Sequence, residues 1–148
     1  MTVTVTTEEA ASYRQVITAA NHTAFADMSV ASGGEGSAPD PHDLLLAAWG
    51  SCTNMTLQLY ARRKGWPLEK AETTLHETRE PDGTLIQKDI RLWGELTPEQ
   101  VDSLKTIAEK CPINQLVMGG KGRIKQVDKT ISLVTVSNVE VHQPSVGN

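Results

Sequence analysis

The chain has little of what would place it in several large protein classes. It carries two cysteines in 148 residues, too few for the disulfide framework of a small secreted domain, and leaves packing, metal binding or redox chemistry as their use. It has no basic excess. With 14 Lys and Arg against 18 Asp and Glu its net charge is -4, so no phosphate-backbone partner and no nucleic acid is expected. The first residues, MTVTVTTEEA, have neither a basic start nor an apolar run; this predicts neither a secretory signal nor a membrane anchor, hence a cytoplasmic protein with no membrane partner. No CxxC, HxxxH or HExxH pair is present, and His22, His42, His76 and His142 stand apart from one another, so a metal is not expected. The stretches Gly33 to Gly36 and Gly119 to Gly122 lack the GK[ST] ending of a phosphate loop and the strand-to-helix context of a dinucleotide site, which makes them turns and leaves no organic cofactor implied. Neither an internal repeat nor a low-complexity tract occurs.

What is there reads as one α+β domain over residues 1–148, with a loose tail from 142 to 148. Thr2 to Thr6 alternate Thr and Val, the period-two pattern of a strand. Two further strands fit between Tyr13 and Val30, broken at the turn-former Asn21, followed by a loop from Gly33 to Pro39. The clearest element is a helix over 41–64. Asp40 suits its N-cap, Pro41 its first position and Asp43 its first turn, while Arg62, Arg63 and Lys64 fill the last turn before Gly65 and Pro67 end it. Its first half, Leu44 to Trp49, is apolar on every side, which predicts a helix buried all round. Residues 68–79 and 85–96 predict a hairpin turning at Pro81, Asp82 and Gly83, with Ile86, Ile90, Leu92 and Leu96 as its apolar face. Thr97, Pro98 and Gln100 form a capping box for a helix whose apolar stripe is Val101, Leu104, Ile107, Ala108 and Cys111. Pro112 opens another short helical turn through Leu116, and Ile131 to Val141 predict a last strand. A helix buried on every side needs more cover than one small sheet provides, and a homodimer with the helices sandwiched between sheets of two chains supplies it.

Cys52 falls at helical spacing from Leu45, Ala48, Trp49, Met55 and Leu59, and Cys111 lies on the apolar stripe of its own helix. Periodicity alone favours packing for both, because a free cysteine is most often a small buried hydrophobe. Two facing thiols also support sulfenic acid formation and capture as a disulfide, and spacing does not choose between the readings. Cys52 is about three turns into its helix, beyond the reach of the N-terminal dipole, so a thiolate there needs a cation. Arg14, Arg79 and Arg91 are the strand-borne candidates. Cys111, just before Pro112, is the one near a helix N-terminus and on local grounds the more acidic thiol. Trp49, Met55 and Tyr60 lie near Cys52 along the helix, as core packing or as the wall of an apolar pocket.

The run from Pro39 to Glu69, PDPHDLLLAAWGSCTNMTLQLYARRKGWPLE, resembles the first cysteine motif of the OsmC-like family, which includes the organic-hydroperoxide-resistance proteins. Ile107 to Val117, IAEKCPINQLV, resembles the family's second motif, a Cys-Pro at a helix end. The resemblance extends to about Val136 and is closer, in its ARRKGWPLE continuation, to the less characterised OsmC-like branch. It implies an OsmC-like fold: an intertwined homodimer whose long helix, carrying the first cysteine, is buried between antiparallel sheets. It further implies a thiol-dependent peroxidase acting on organic hydroperoxides or hydrogen peroxide, with Cys52 as the peroxidatic residue, Cys111 as the resolving residue and a dithiol as reductant. Hydroperoxide-reducing members place a glutamate directly after the proline that opens the long helix, paired with an arginine. This chain has His42 there, which leaves Asp43 as the candidate carboxylate and Arg14 as the candidate thiolate activator. A weakly active stress-associated binding module and a redox sensor on the same fold are the alternative readings.

Overall fold

In the computed structural model, which describes residues 1–81, 83–118 and 133–142, the chain divides into two units, Met1–Ala47 and Ala48–Asn148. In the first, Val3–Thr7 (β1), Gln15–Ala19 (β2) and His22–Ala26 (β3) form an antiparallel sheet in that order. The β-branched alternation of β1 brings Val5 opposite Ile17, and Ile17 pairs in turn with Ala24. A short 3-10 turn at Val30–Ser32 ends in Gly33, whose φ of 92° lies in the left-handed region that glycine tolerates.

The long helix α1 spans Pro41–Lys64, and its ends follow the chemistry of the residues there. At the start, Asp40 Oδ1 accepts from the backbone N–H groups of His42 at 2.7 Å and Asp43 at 3.0 Å. The Asp43 carboxylate reaches back to the Asp40 N–H at 3.3 Å, closing a reciprocal cap. At the end, Gly65 takes φ 66°, its N–H bonds Arg62 O, and the Trp66 N–H bonds Ala61 O at 2.9 Å. These two bonds satisfy the last carbonyls in a Schellman motif.

The second unit holds a three-stranded sheet and two more helices. Lys70–Glu80 (β4) and Gly83–Trp93 (β5) form the expected hairpin, with Leu75 opposite Lys88 and Thr73 opposite Ile90. Pro98–Ala108 (α2) carries the Thr97–Gln100 capping box, with both reciprocal hydrogen bonds made. Pro112–Val117 (α3) follows, and Leu133–His142 (β6) pairs with β5 in parallel. That parallel pair corrects the expectation of antiparallel sheets: β5 and β6 are joined through α2 and α3, and a helical crossover brings the chain back in the same direction. His142 closes β6, one residue into the expected tail. The Gly119 to Gly122 turn, Asp82 of the hairpin turn and the rest of the tail lie outside the described residues.

One face of α1 packs on this sheet. Trp49, Thr53, Leu57 and Ala61 recur every four residues and are buried. Gly50 permits the approach, since a Cβ there would stand 3.0 Å from Leu75 Cδ1. Asn54 Oδ1 accepts a 2.7 Å hydrogen bond from the Thr73 hydroxyl, fixing the helix to β4. Leu57 and Ala61 join Ile90, Leu92, Leu96, Leu104 and Ala108 in one apolar core. The other face of α1 is open: Leu45, Met55 and Leu59 are 46 %, 70 % and 51 % exposed. In place of the expected burial all round, α1 has one face packed on the sheet of the second unit.

Candidate active site

Helix α1 presents Cys52 beside the buried residue Thr53, and the turn between α2 and α3 presents Cys111. Both cysteines are free, Cys52 partly buried and Cys111 wholly so. The fold brings their side chains into contact, since the Cys52 thiol acts directly on the titration of Cys111. The pairing reflects where each element is anchored: Thr53 turns into the core on the stripe that packs against the sheet, and its neighbour Cys52 lies at the edge of that stripe.

The surroundings of Cys111 are polar but dry. Its Sγ is the N-cap of α3, accepting from the Asn114 N–H at 3.3 Å. The Thr53 hydroxyl lies 3.7 Å from the same sulfur and 3.1 Å from the Trp49 carbonyl; having one proton, it serves one acceptor at a time. Burial pushes the Cys111 thiol above the ordinary thiol range, the Asn114 N–H and Thr53 hydroxyl pull it down, and the adjacent Cys52 pushes it up again. The net direction is upward. A position at a helix start predicts a lowered Cys111 pKa, and the direction is the opposite: α3 has six residues, and removing a thiolate from water outweighs what its short N-terminus returns.

The other residues singled out in the sequence each have partners of their own or lie exposed. Arg14, in the first unit, is held by Glu8, with Nε 2.8 Å from Oε2, and stacks its guanidinium 4.2 Å from the Phe25 ring centroid. Its Nη1 donates to Ser37 Oγ at 2.6 Å, and Ser37 donates from both N and Oγ to the buried Asp27. Those two Ser37 bonds, backbone first, hold the Asp27 carboxyl below its ordinary range. The structure does not pair Arg14 with Asp43: the carboxylate partner of Arg14 is Glu8, and Asp43 serves the α1 cap. Arg91 pairs with Glu72 and Glu140 on the outer face of β5, and Arg79 is exposed near the end of β4. Of the pocket residues, Trp49 is buried, Met55 is exposed, and Tyr60 packs edge-on against Trp66 with centroids 5.4 Å apart.

The cation that sequence reading passed over is Lys88. It lies on the core-facing side of β5 between Ile86 and Ile90, its side chain 0 % exposed. Its Nζ stands 3.0 Å from Glu109 Oε1 and 6.0 Å from the Trp49 ring centroid. The contact with Glu109 is an ion pair by distance, but its angles fall outside those of a hydrogen bond, so the attraction is coulombic. The signal for Lys88 was available: it occupies a core position in the same alternation that singled out Ile86, Ile90 and Leu92. Thr53 and Asn114, which touch the Cys111 sulfur, gave no comparable signal, because a threonine in mid-helix and an asparagine in a short helix have many uses. Among the described residues no group of His, Cys, Asp and Glu is arranged to hold a metal ion, and no helix is long and apolar enough to cross a membrane.

The fold and its contents define an α+β protein in which a long helix brings one free thiol to a second, buried one at a Cys-Pro helix start. The chain belongs to the OsmC-like protein family, whose model matches residues 34–124 and so includes both cysteines. No curated protein matches it. Among solved structures, the OsmC-like protein of Mycoplasma pneumoniae is similar with a TM-score of 0.74 at 15 % identity, covering 95 % of each chain. The organic hydroperoxide resistance protein OsmC of Legionella pneumophila gives 0.62 at 16 % identity, with 95 % of this chain and 96 % of that one covered. The organic hydroperoxide resistance protein OhrB of Bacillus subtilis gives 0.58 at 17 %, with the same coverage. At these identities the likeness establishes a shared fold over nearly the whole chain.

Proposed function

We propose that this protein is a thiol-dependent peroxidase that reduces organic hydroperoxides or hydrogen peroxide through Cys52 and Cys111. The observation that carries the reading is the pairing of a partly exposed Cys52 with a buried Cys111 whose thiol is held protonated, in a chain of the OsmC-like family. The Cys52 thiolate attacks the terminal oxygen of the hydroperoxide, the O–O bond breaks, and the alcohol leaves after taking a proton. Cys52 is then a sulfenic acid. Cys111 sulfur displaces its hydroxyl, forming the Cys52–Cys111 disulfide and releasing water with the Cys111 proton. A dithiol, itself oxidised to a disulfide, restores both thiols. The unequal surroundings suit the order of events: the accessible sulfur meets the substrate, and the buried one stays a neutral thiol until a sulfenic acid stands next to it.

The working form in this reading is a homodimer in the cytoplasm. Free thiols suit a reducing compartment, and the apolar α1 face of Leu45, Met55 and Leu59, on the same helix as Cys52, is the surface a second copy would cover. Sedimentation of the intact protein at micromolar concentration should give twice the chain mass, and Met55→Glu should shift it to the monomer; a monomer in the unaltered protein refutes this part.

The activity itself is tested by stopped-flow consumption of cumene hydroperoxide with a dithiol in excess. Rapid consumption in the unaltered protein and its loss in Cys52→Ser are expected. An unchanged rate in Cys52→Ser sinks the assignment.

A further inference from the structure

Lys88 is a charged residue at a core position, and burying an ammonium is costly unless the charge is answered. The neighbours on its face of β5, Ile86, Ile90 and Leu92, are all buried and apolar. Its answer is Glu109, and the place of Glu109 in the chain gives the ion pair a purpose. Glu109 is the C-cap of α2, two residues before Cys111. Its backbone carbonyl accepts from Asn114 Nδ2 at 2.8 Å and from Gln115 Nε2 at 2.9 Å, both on α3. Asn114 in turn gives its backbone N–H to the Cys111 sulfur. The turn that carries Cys111 is therefore held at Glu109 from two sides, from α3 through the main chain and from β5 through the Lys88 ammonium. Lys88 Nζ also stands 6.0 Å from the ring centroid of Trp49, one helical turn before Thr53, whose hydroxyl reaches the same sulfur.

We propose that Lys88 is a positioning residue for disulfide closure: paired with Glu109, it holds the Cys111 turn against β5 so that the Cys111 sulfur faces Cys52. This rests on the two-cysteine reading above but not on peroxide as the oxidant. In closure one S–S bond forms between the two sulfurs while the bond from Cys52 to its leaving group breaks. The rate of that step depends on how well Cys111 is aligned, and a displacement of about 1 Å is enough to cost such a step roughly a hundredfold. The first step, at Cys52 alone, has no such dependence.

The two steps separate cleanly with dithiobis-nitrobenzoate in place of peroxide. The Cys52 thiolate cleaves the reagent, releasing one thionitrobenzoate and leaving the other half on Cys52. Cys111 then displaces that second thionitrobenzoate as the Cys52–Cys111 disulfide forms. In Lys88→Met, shown folded by circular dichroism, the first release should stay within about twofold and the second should slow by about 10- to 100-fold. Glu109→Gln, altered at a half-exposed side chain, should slow the second release in the same sense by about threefold or more, and tests the pair should Lys88→Met not fold. Unchanged second release in a folded variant overturns the proposal. Equal slowing of both steps also overturns it, since that marks a general loss of structure. A protein that closes its disulfide here yet consumes no hydroperoxide refutes the peroxidase reading and leaves the role of Lys88 standing.

Discussion

Cys52 and Cys111 are the same side chain in two surroundings, and the difference between them organises the site. Cys52 rides on a 24-residue helix whose ends are capped by its own sequence, with an open apolar face on one side and the core on the other. Cys111 sits in a short turn held by contacts from α1, α3 and, through Glu109, β5, and has no exposure to solvent. One thiol is placed by local structure and the other by tertiary structure. Their chemical inequality follows: desolvation keeps Cys111 a neutral thiol, while Cys52 retains a path to solvent.

The sharpest way to break this contrast is to remove each sulfur in turn. Cys52→Ser should abolish hydroperoxide consumption, by about a thousandfold or more. Cys111→Ser should still consume one equivalent and then stall with a Cys52 sulfenic acid, seen by dimedone labelling and mass spectrometry. Equal loss of that first equivalent in both variants would abolish the distinction in roles. The slowed closure expected of Lys88→Met stands next in size.

The pH dependence is the gentlest probe. The folded state raises the Cys111 pKa, so the unfolded chain ionises first; the stabilisation is complete below about pH 8.5, the ordinary thiol value, and is lost as pH rises through the higher folded value. Urea midpoints should therefore fall above about pH 8.5 in the unaltered protein and fall less in Cys111→Ser. Alkylation by iodoacetamide at neutral pH should label Cys52 first; simultaneous labelling would show that the two surroundings do not differ in solution.

Much of this was legible in the sequence, and the legible parts share a cause. The limits of α1 were set by Asp40, Pro41, Gly65 and Pro67, and the start of α2 by Thr97, Pro98 and Gln100, because capping is decided within a few residues of chain; α2 nevertheless stops at Ala108, so Cys111, expected on its apolar stripe, is the N-cap of α3 instead. The hairpin at 70–93 announced itself through alternation, and the two cysteine motifs pointed to the family that the match over 34–124 establishes. Less legible was anything that depends on what faces a residue. The alternation of β5 puts Lys88 in phase with Ile86, Ile90 and Leu92, but nothing near it in the chain shows that Glu109 answers its charge, and no local rule connects Arg14 to Glu8. The parallel pairing of β6 depends on the crossover of α2 and α3, which no strand pattern records.

By itself, then, the sequence determined the order of the elements, both ends of α1, the start of α2 and the two cysteine motifs of the family, since those depend on local hydrogen bonding and periodicity. Only the tertiary structure decided that the two thiols meet, that burial raises the Cys111 pKa where a place at a helix start predicts a lowering, and that a buried lysine answers Glu109 two residues before it. Desolvation and charge pairing act across space, between residues far apart in the chain, and their sign is fixed only when the chain has folded.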